Sequence, residues 1–123
     1  MKKTWFITGA SRGFGRIWAE AALKRGDRVT ATTRKLKDVA DLPESFGDTV
    51  LPLALDVPDS IEVHQAVHQA YAHFGRLDVL FNIAGVSLLA AAEEASDEQI
   101  RDVVDANYLG MVRVLRAALP PLR

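Results

Sequence analysis

The stretch "FITGASRGFGRIWAEAALKRG", Phe6 to Gly26, places three glycines where an apolar strand hands over to a helix. Trp5-Phe6-Ile7-Thr8 is a short, β-prone run that stops at Gly9. After Gly13, apolar residues fall at Phe14, Ile17, Trp18, Ala21 and Ala22, the spacing of one helical face, and Gly26 ends the helix. The segment between them, Thr8 to Gly15 (TGASRGFG), has what a dinucleotide-binding turn needs. Gly9 permits a tight turn, and missing β-carbons let a pyrophosphate approach the backbone. The unpaired N–H groups of the following helix then face that phosphate.

Outward from this stretch, strand-like and helix-like patterns alternate. Arg28 to Thr33 (RVTATT) is rich in β-branched residues and reads as a second strand. Lys35 to Gly47 reads as a short helix and loop broken at Pro43, and Thr49 to Leu55 as a third strand. Pro52 puts that third strand at an outer position. Asp59 and Glu62 resemble a capping pair for a long helix with the stripe Val63, Ala66, Val67, Ala70, Tyr71 and Phe74, closed by Gly75. Leu77 to Ile83 is a nearly continuous apolar fourth strand, suited to a buried position. Ser96 to Gln99 forms a capping box that opens the last helix. Its stripe is Ile100, Val103, Val104, Tyr108, Met111 and Leu115, and Pro120-Pro121 is expected to stop it. Both Tyr71 and Tyr108 are expected in the core. The order βαβαβαβα implies right-handed crossovers and a parallel sheet covered by helices on both faces.

A chain of 123 residues has room for one domain with one core. The formal net charge of −1 gives no electrostatic reason to expect nucleic acid or an anionic membrane as partner. With no cysteine, disulfides, thiolate metal sites and a cysteine nucleophile are excluded, which fits an expected cytoplasmic location. The run after Met1-Lys2-Lys3 is broken by Gly9, Ser11 and Arg12 before it reaches signal-peptide length, and no stretch approaches the about 20 apolar residues of a membrane span. His64 and His68 stand at i and i+4 without the glutamate of a His-Glu-x-x-His site, so they read as surface residues and no metal site is expected. Glu93-Glu94 reads as part of a solvated loop.

The spacing Thr-Gly-x-x-x-Gly-x-Gly resembles the short-chain dehydrogenase/reductase family. Asp56-Val57 after the third strand, Asn82-Ile83-Ala84-Gly85 after the fourth, and Asn107-x-x-Gly110 in the last helix carry the same resemblance, in the family's order, along the whole chain. It implies a Rossmann-type doubly wound sheet, truncated at about four strands in the order 3-2-1-4, with residues 1–123 forming a partial cofactor-binding domain. Gly9, Ser11, Gly13, Phe14 and Gly15 would line the pyrophosphate and adenosine ribose. Asp56 would accept a hydrogen bond from the adenine amino group, with Val57 beside the ring. Asn82, Ala84 and Gly85 would border the adenosine and nicotinamide side. Ile83 departs from the family's second asparagine, which bears on local bracing of the sheet more than on binding.

The second strand ends in Thr32-Thr33-Arg34-Lys35 and lacks the acidic residue that bonds the ribose hydroxyls of NAD. Arg34, with Arg12 approaching from the glycine turn, would pair with a 2′-phosphate, an arrangement that in the family goes with NADP rather than NAD. Asn107 lies on the apolar face of the last helix, where a buried amide must be hydrogen-bonded. The resemblance makes it a relay residue whose backbone carbonyl holds a water. The family's serine and Tyr-x-x-x-Lys pair are absent from the 123 residues, since Tyr71 is followed four positions on by Gly75 and Tyr108 by Val112. The resemblance therefore implies the cofactor-binding half of an NADP-dependent oxidoreductase acting on carbonyls or alcohols, inactive by itself. Two readings stay beside it: a non-catalytic nucleotide-binding module, and half of a split enzyme completed by another chain. Self-association through the last helix or the outer edge of the fourth strand is expected.

Overall fold

Residues 2–11, 13–55, 60–82 and 94–122 are described by the structure, a computed structural model. The glycine turn joins β1 (Thr4–Thr8) to α1 (Gly13–Lys24); β2 (Arg28–Thr33) follows, then a 3₁₀ turn at Leu36–Val39 and the short α2 (Asp41–Phe46). A second 3₁₀ turn, Gly47–Thr49, leads into β3 (Val50–Ala54), followed by α3 (Ser60–Phe74) and β4 (Val79–Asn82). The chain ends in α4 (Asp97–Val104), a π-helical turn at Asp105–Leu109, and α5 (Gly110–Leu122). The strands form one parallel sheet in the order β3-β2-β1-β4, the expected arrangement.

Local chemistry explains where the elements begin and end. Gly26 and Gly75 follow α1 and α3 with φ of 90° and 77°, a left-handed conformation that only glycine adopts without strain. Ser96 and Gln99 cap α4 reciprocally, each side chain bonding the other's backbone N–H at 3.1 and 2.9 Å. Pro52 sits in β3 at the sheet's edge, where a missing N–H matters least.

Because side chains alternate along a strand, the sheet buries two separate clusters. Phe6 packs with Leu53, Val63, Val67 and Val114 beneath α3 and α5, while Ile7 packs with Ala19, Leu23, Val29, Val39 and Leu42 beneath α1. At the amino ends of the strands, Asp27 is buried and accepts from the Lys3 amide (3.1 Å), the Trp5 indole (3.0 Å) and Arg25 (2.7 Å). Burial by itself would raise this carboxyl's pKa. The amide, indole and guanidinium donors outweigh it and hold the group below the usual carboxylate range.

Several helical faces differ from expectation. The buried face of α1 is Gly15, Ala19, Ala22 and Leu23, whereas Phe14, Ile17 and Trp18 are exposed. Small side chains let the helix lie close to the sheet, and the large ones turn aside into a stack of rings: Phe14 on Trp18 (5.5 Å), Trp18 on Phe81 (4.2 Å) and Phe81 on Trp5 (5.7 Å). In the last helix Gly110, Val114, Ala117 and Ala118 are buried, while the expected stripe of Ile100, Val104, Tyr108, Met111 and Leu115 is exposed. Tyr71 and Tyr108 are thus surface residues rather than core. Pro120 and Pro121 lie inside α5 rather than before its end. Each lacks an N–H to donate, yet the helix runs through both to Leu122.

Candidate functional site

The glycine turn is built around two left-handed residues and one steric lock. Gly9 and Gly13 have φ of 68° and 63°. Gly15 is different: a Cβ there would stand 2.0 Å from the Gly9 carbonyl oxygen and 2.8 Å from its carbon, so only glycine lets α1 start this close to the turn. At Gly13 nothing lies within 4 Å of where a Cβ would be, leaving open space at the N-terminus of α1. The first turn of α1 carries no acidic side chain that would compete with a ligand anion for the positive dipole end. Ser11 is half-buried and Phe14 is 69% exposed beside this space. Open backbone, glycines and a helix N-terminus fit a pyrophosphate.

The turn is tied to the end of β2. The Ala10 N–H donates to the Thr32 carbonyl at 3.0 Å, and the Thr32 hydroxyl donates to the Ile7 carbonyl at 3.1 Å. Thr32 and Thr33 are buried, then Arg34 and Lys35 emerge into solvent. On the other side, Thr8 stands opposite Asn82 in the β1–β4 register, so the end of β4 meets the start of the turn. The carboxyl ends of β1, β2 and β4 therefore converge on Gly9–Gly15, where ligands bind in open α/β sheets. Arg12, Asp56, Val57, Ala84 and Gly85 lie outside the described residues.

Asn107 is exposed, not buried in a stripe, and it sits inside the π turn. There the Gly110 N–H reaches back five residues to the Asp105 carbonyl, which also accepts from Arg113 at 3.4 Å. Arg113 further binds the Asp105 carboxylate at 2.6 Å. A π turn widens the helix and redirects backbone groups, and such turns are frequent at functional sites. No sequence periodicity announced it.

A second feature escaped the sequence reading. Arg16, one residue past the Gly15 lock, donates to Glu20 at 2.6 Å, to both Asp41 carboxylate oxygens, and to the Asp38 carbonyl at 3.4 Å. Its hydrogen bonds to Asp41 and Glu20 raise the guanidinium pKa, and the Asp41 carboxyl is held below its ordinary range by Arg16. The i, i+4 pair with Glu20 was visible in the sequence; the contact with Asp41 needed the fold. Among the described residues no group of three or more His, Asp or Glu side chains is placed to hold a metal ion, and no helix is long and apolar enough to cross a membrane.

Comparison with known proteins gives a consistent relationship. The family profile of short chain dehydrogenases matches residues 3–123. Oxidoreductase BOA17 of Botryotinia fuckeliana is 48% identical over 124 residues, which span 100% of this chain and 45% of that protein. A crystal structure of a short-chain dehydrogenase from Streptomyces avermitilis superposes with a TM-score of 0.94 at 38% identity, covering 98% of this chain and 44% of the other. A structure of ElxO with NADP bound superposes with a TM-score of 0.89 at 31% identity, over 98% and 50% respectively. The chain thus spans about half the length of these relatives.

Proposed function

The chain belongs to the short-chain dehydrogenase family, and on that premise we propose that it is the NADP(H)-binding part of an oxidoreductase that interconverts carbonyls and alcohols. The observation that carries this reading is the open space at Gly13, set at the N-terminus of α1 and beside a β2 end that offers Arg34 and Lys35 and no acid. A solved relative at 31% identity with NADP bound supports it.

In this reading the turn Gly9–Gly15, with Ser11 and Phe14, holds the pyrophosphate and ribose. Arg34 and Arg12 pair with the 2′-phosphate. Asp56, Val57, Asn82, Ala84 and Gly85 border adenosine and nicotinamide. The bound cofactor supplies hydride chemistry at the carboxyl ends of the strands. Asn107, lifted out by the π turn, offers its main-chain carbonyl to a water in the proton relay. In the family a serine after the fifth strand and a Tyr-x-x-x-Lys pair complete such a relay; these 123 residues hold no Tyr-x-x-x-Lys pair, so the chain binds without turning over by itself. A cytoplasmic setting, supported by the cysteine-free sequence, is part of the reading.

The exposed stripe Val104, Tyr108, Met111 and Leu115 favours association through the last helix. The same exposure suits completion by another polypeptide, as in a split enzyme.

Titration with NADPH and NADH tests the reading. Two charge-assisted hydrogen bonds to phosphate, each worth about 1.5–3 kcal/mol, predict a preference for NADPH of about a hundredfold or more. Arg34→Asp should reverse it. Equal affinities in the parent chain refute the NADP assignment, and folded protein that binds neither refutes the cofactor site.

A further inference from the structure

The two parts of the proposed cofactor site lie on different elements. The phosphate turn belongs to β1 and α1, whereas Arg34 and Lys35 belong to the connection that leaves β2 and runs through the 3₁₀ turn Leu36–Val39 to α2. The start of this connection is fixed by the sheet, where the Leu55 N–H bonds the Thr33 carbonyl at 2.9 Å. Farther on, Val39 and Leu42 are buried and hold it down on the core. Arg16 alone among the described ion pairs crosses from α1 to this connection, gripping the Asp38 carbonyl and the Asp41 carboxylate. Its own position is set by Gly15, which locks the first turn of α1 against Gly9. Its side chain is 21% exposed and directed to these partners and Glu20.

We infer that Arg16 and Asp41 form a clamp that sets the distance between the phosphate turn and the Arg34–Lys35 segment, making them positioning residues for recognition of a 2′-phosphate. This inference rests on the NADP reading above. Arg16 is not itself the phosphate ligand. Its planar fork is engaged bidentately by Asp41, and two carboxylates against one guanidinium leave the cluster negative. Buried Val39 and Leu42 fix how deep the connection sits; the guanidinium fixes how close it stands to α1.

The sign of one substitution separates positioning from simple electrostatics. Removing the Asp41 carboxylate takes a negative charge away from the neighbourhood of a phosphate, so Coulomb attraction alone predicts tighter binding. A clamp predicts the opposite. If the released connection holds Arg34 in its competent place about a tenth of the time, apparent affinity falls about tenfold. The probes are adenosine 2′,5′-bisphosphate and adenosine 5′-monophosphate, which differ only in the 2′-phosphate, titrated calorimetrically into the full chain and its Asp41→Ala, Asp41→Asn and Arg34→Ala variants.

The expected result is a loss of about tenfold for the bisphosphate with Asp41→Ala, a smaller loss with the near-isosteric Asp41→Asn, and less than about twofold change for the monophosphate with either. In the Arg34→Ala background, Asp41→Ala should add nothing, because there is no guanidinium left to position. Unchanged or tighter bisphosphate binding by Asp41→Ala and Asp41→Asn, in a parent whose preference Arg34→Ala abolishes, overturns the clamp and leaves the NADP reading standing. A parent with no preference for the 2′-phosphate overturns both. Asp41 is exposed, so the variants should fold, and circular dichroism checks it; Asp41→Asn carries the test if Asp41→Ala does not fold.

Discussion

Three glycine-to-alanine substitutions separate binding from backbone strain. Gly13 and Gly47 share a φ of 63°, and at both a Cβ would meet nothing within 4 Å, but Gly47 has ψ of −133°, a combination essentially restricted to glycine. Placing alanine in the left-handed region costs about 1–2 kcal/mol. Gly13→Ala should therefore lose about that much stability, and Gly47→Ala at least as much. Only Gly13 stands where a phosphate is proposed to approach, so Gly13→Ala should weaken NADPH at least tenfold while Gly47→Ala binds like the parent. Gly15→Ala adds a direct clash. Its Cβ would lie 2.0 Å from the Gly9 oxygen, against an ordinary carbon–oxygen contact of about 3.3 Å, so backbone must move by roughly 1.3 Å. Overpacking of this kind costs about 3 kcal/mol, offset by about 1 kcal/mol of helix propensity. A net loss of about 2 kcal/mol shifts a urea midpoint by about 1 M at a slope of about 2 kcal/mol/M. Urea melts and NADPH fluorescence titrations on the three variants are the assay. Gly13→Ala protein that keeps parental affinity, or Gly47→Ala protein that loses as much, refutes the argument that the open space at Gly13 is the phosphate cradle. Gly15→Ala protein as stable as the parent refutes the steric lock.

Asp27→Asn should destabilise the chain by about 2 kcal/mol near neutrality by weakening three hydrogen bonds to a buried carboxylate. The folded pKa of Asp27 is depressed, so its contribution is present above the unfolded value of about 3.9 and is lost as pH falls through the folded value. Urea midpoints of parent and variant should converge in acid, and a gap that stays constant down to full protonation contradicts this. Tyr108→Glu should shift the chain toward monomer in light scattering, because Tyr108 is 60% exposed in the apolar stripe; a parent that is monomeric at high micromolar concentration removes the proposed association. The 123-residue chain should consume NADPH with aldehydes, ketones or quinones at well under about 1 s⁻¹, the low end of ordinary enzymes. A positioned general acid contributes roughly 10²- to 10⁴-fold, and no Tyr-x-x-x-Lys pair supplies one here. Saturable turnover above that rate requires an acid among the residues present.

The sheet order and the shape of the candidate turn were legible because single residues with hard constraints carry them. Gly9, Gly13 and Gly15 punctuate the strand-to-helix passage, Pro52 marks an edge, and Ser96 with Gln99 marks a helix start; each acts through local geometry that a sequence displays. The place of Arg34, exposed just after β2, was legible too. Arg16 was not, because its partner Asp41 is 25 residues away and meets it only after α1 and α2 have packed on the same face. The π turn at Asp105–Leu109 was hidden for another reason: it changes backbone hydrogen bonding without a composition of its own.

The misread helical faces share one physical cause, and it bears on what the chain docks against. In α1 and in α5, the residues closest to the sheet are glycine, alanine and a few larger ones, because close helix–sheet approach needs small side chains. Large apolar residues therefore collect on an exposed face rather than on the buried one. Phe14, Ile17 and Trp18 form that face on α1, and Trp18 stacks on Phe81 of β4. Met111, Leu115 and Leu119 form it on α5, which packs against β4 from the other side of the sheet. Among the described residues β4 pairs with β1 alone, leaving its other edge open. Both exposed apolar faces thus lie on helices packed against β4, one of the two edge strands among the described residues. An added parallel strand there would give its connecting helices both faces to cover. Such apolar faces beside an open strand edge invite pairing. That coincidence, more than the size of either patch, favours a partner that adds a strand at β4 over one that touches a single helix.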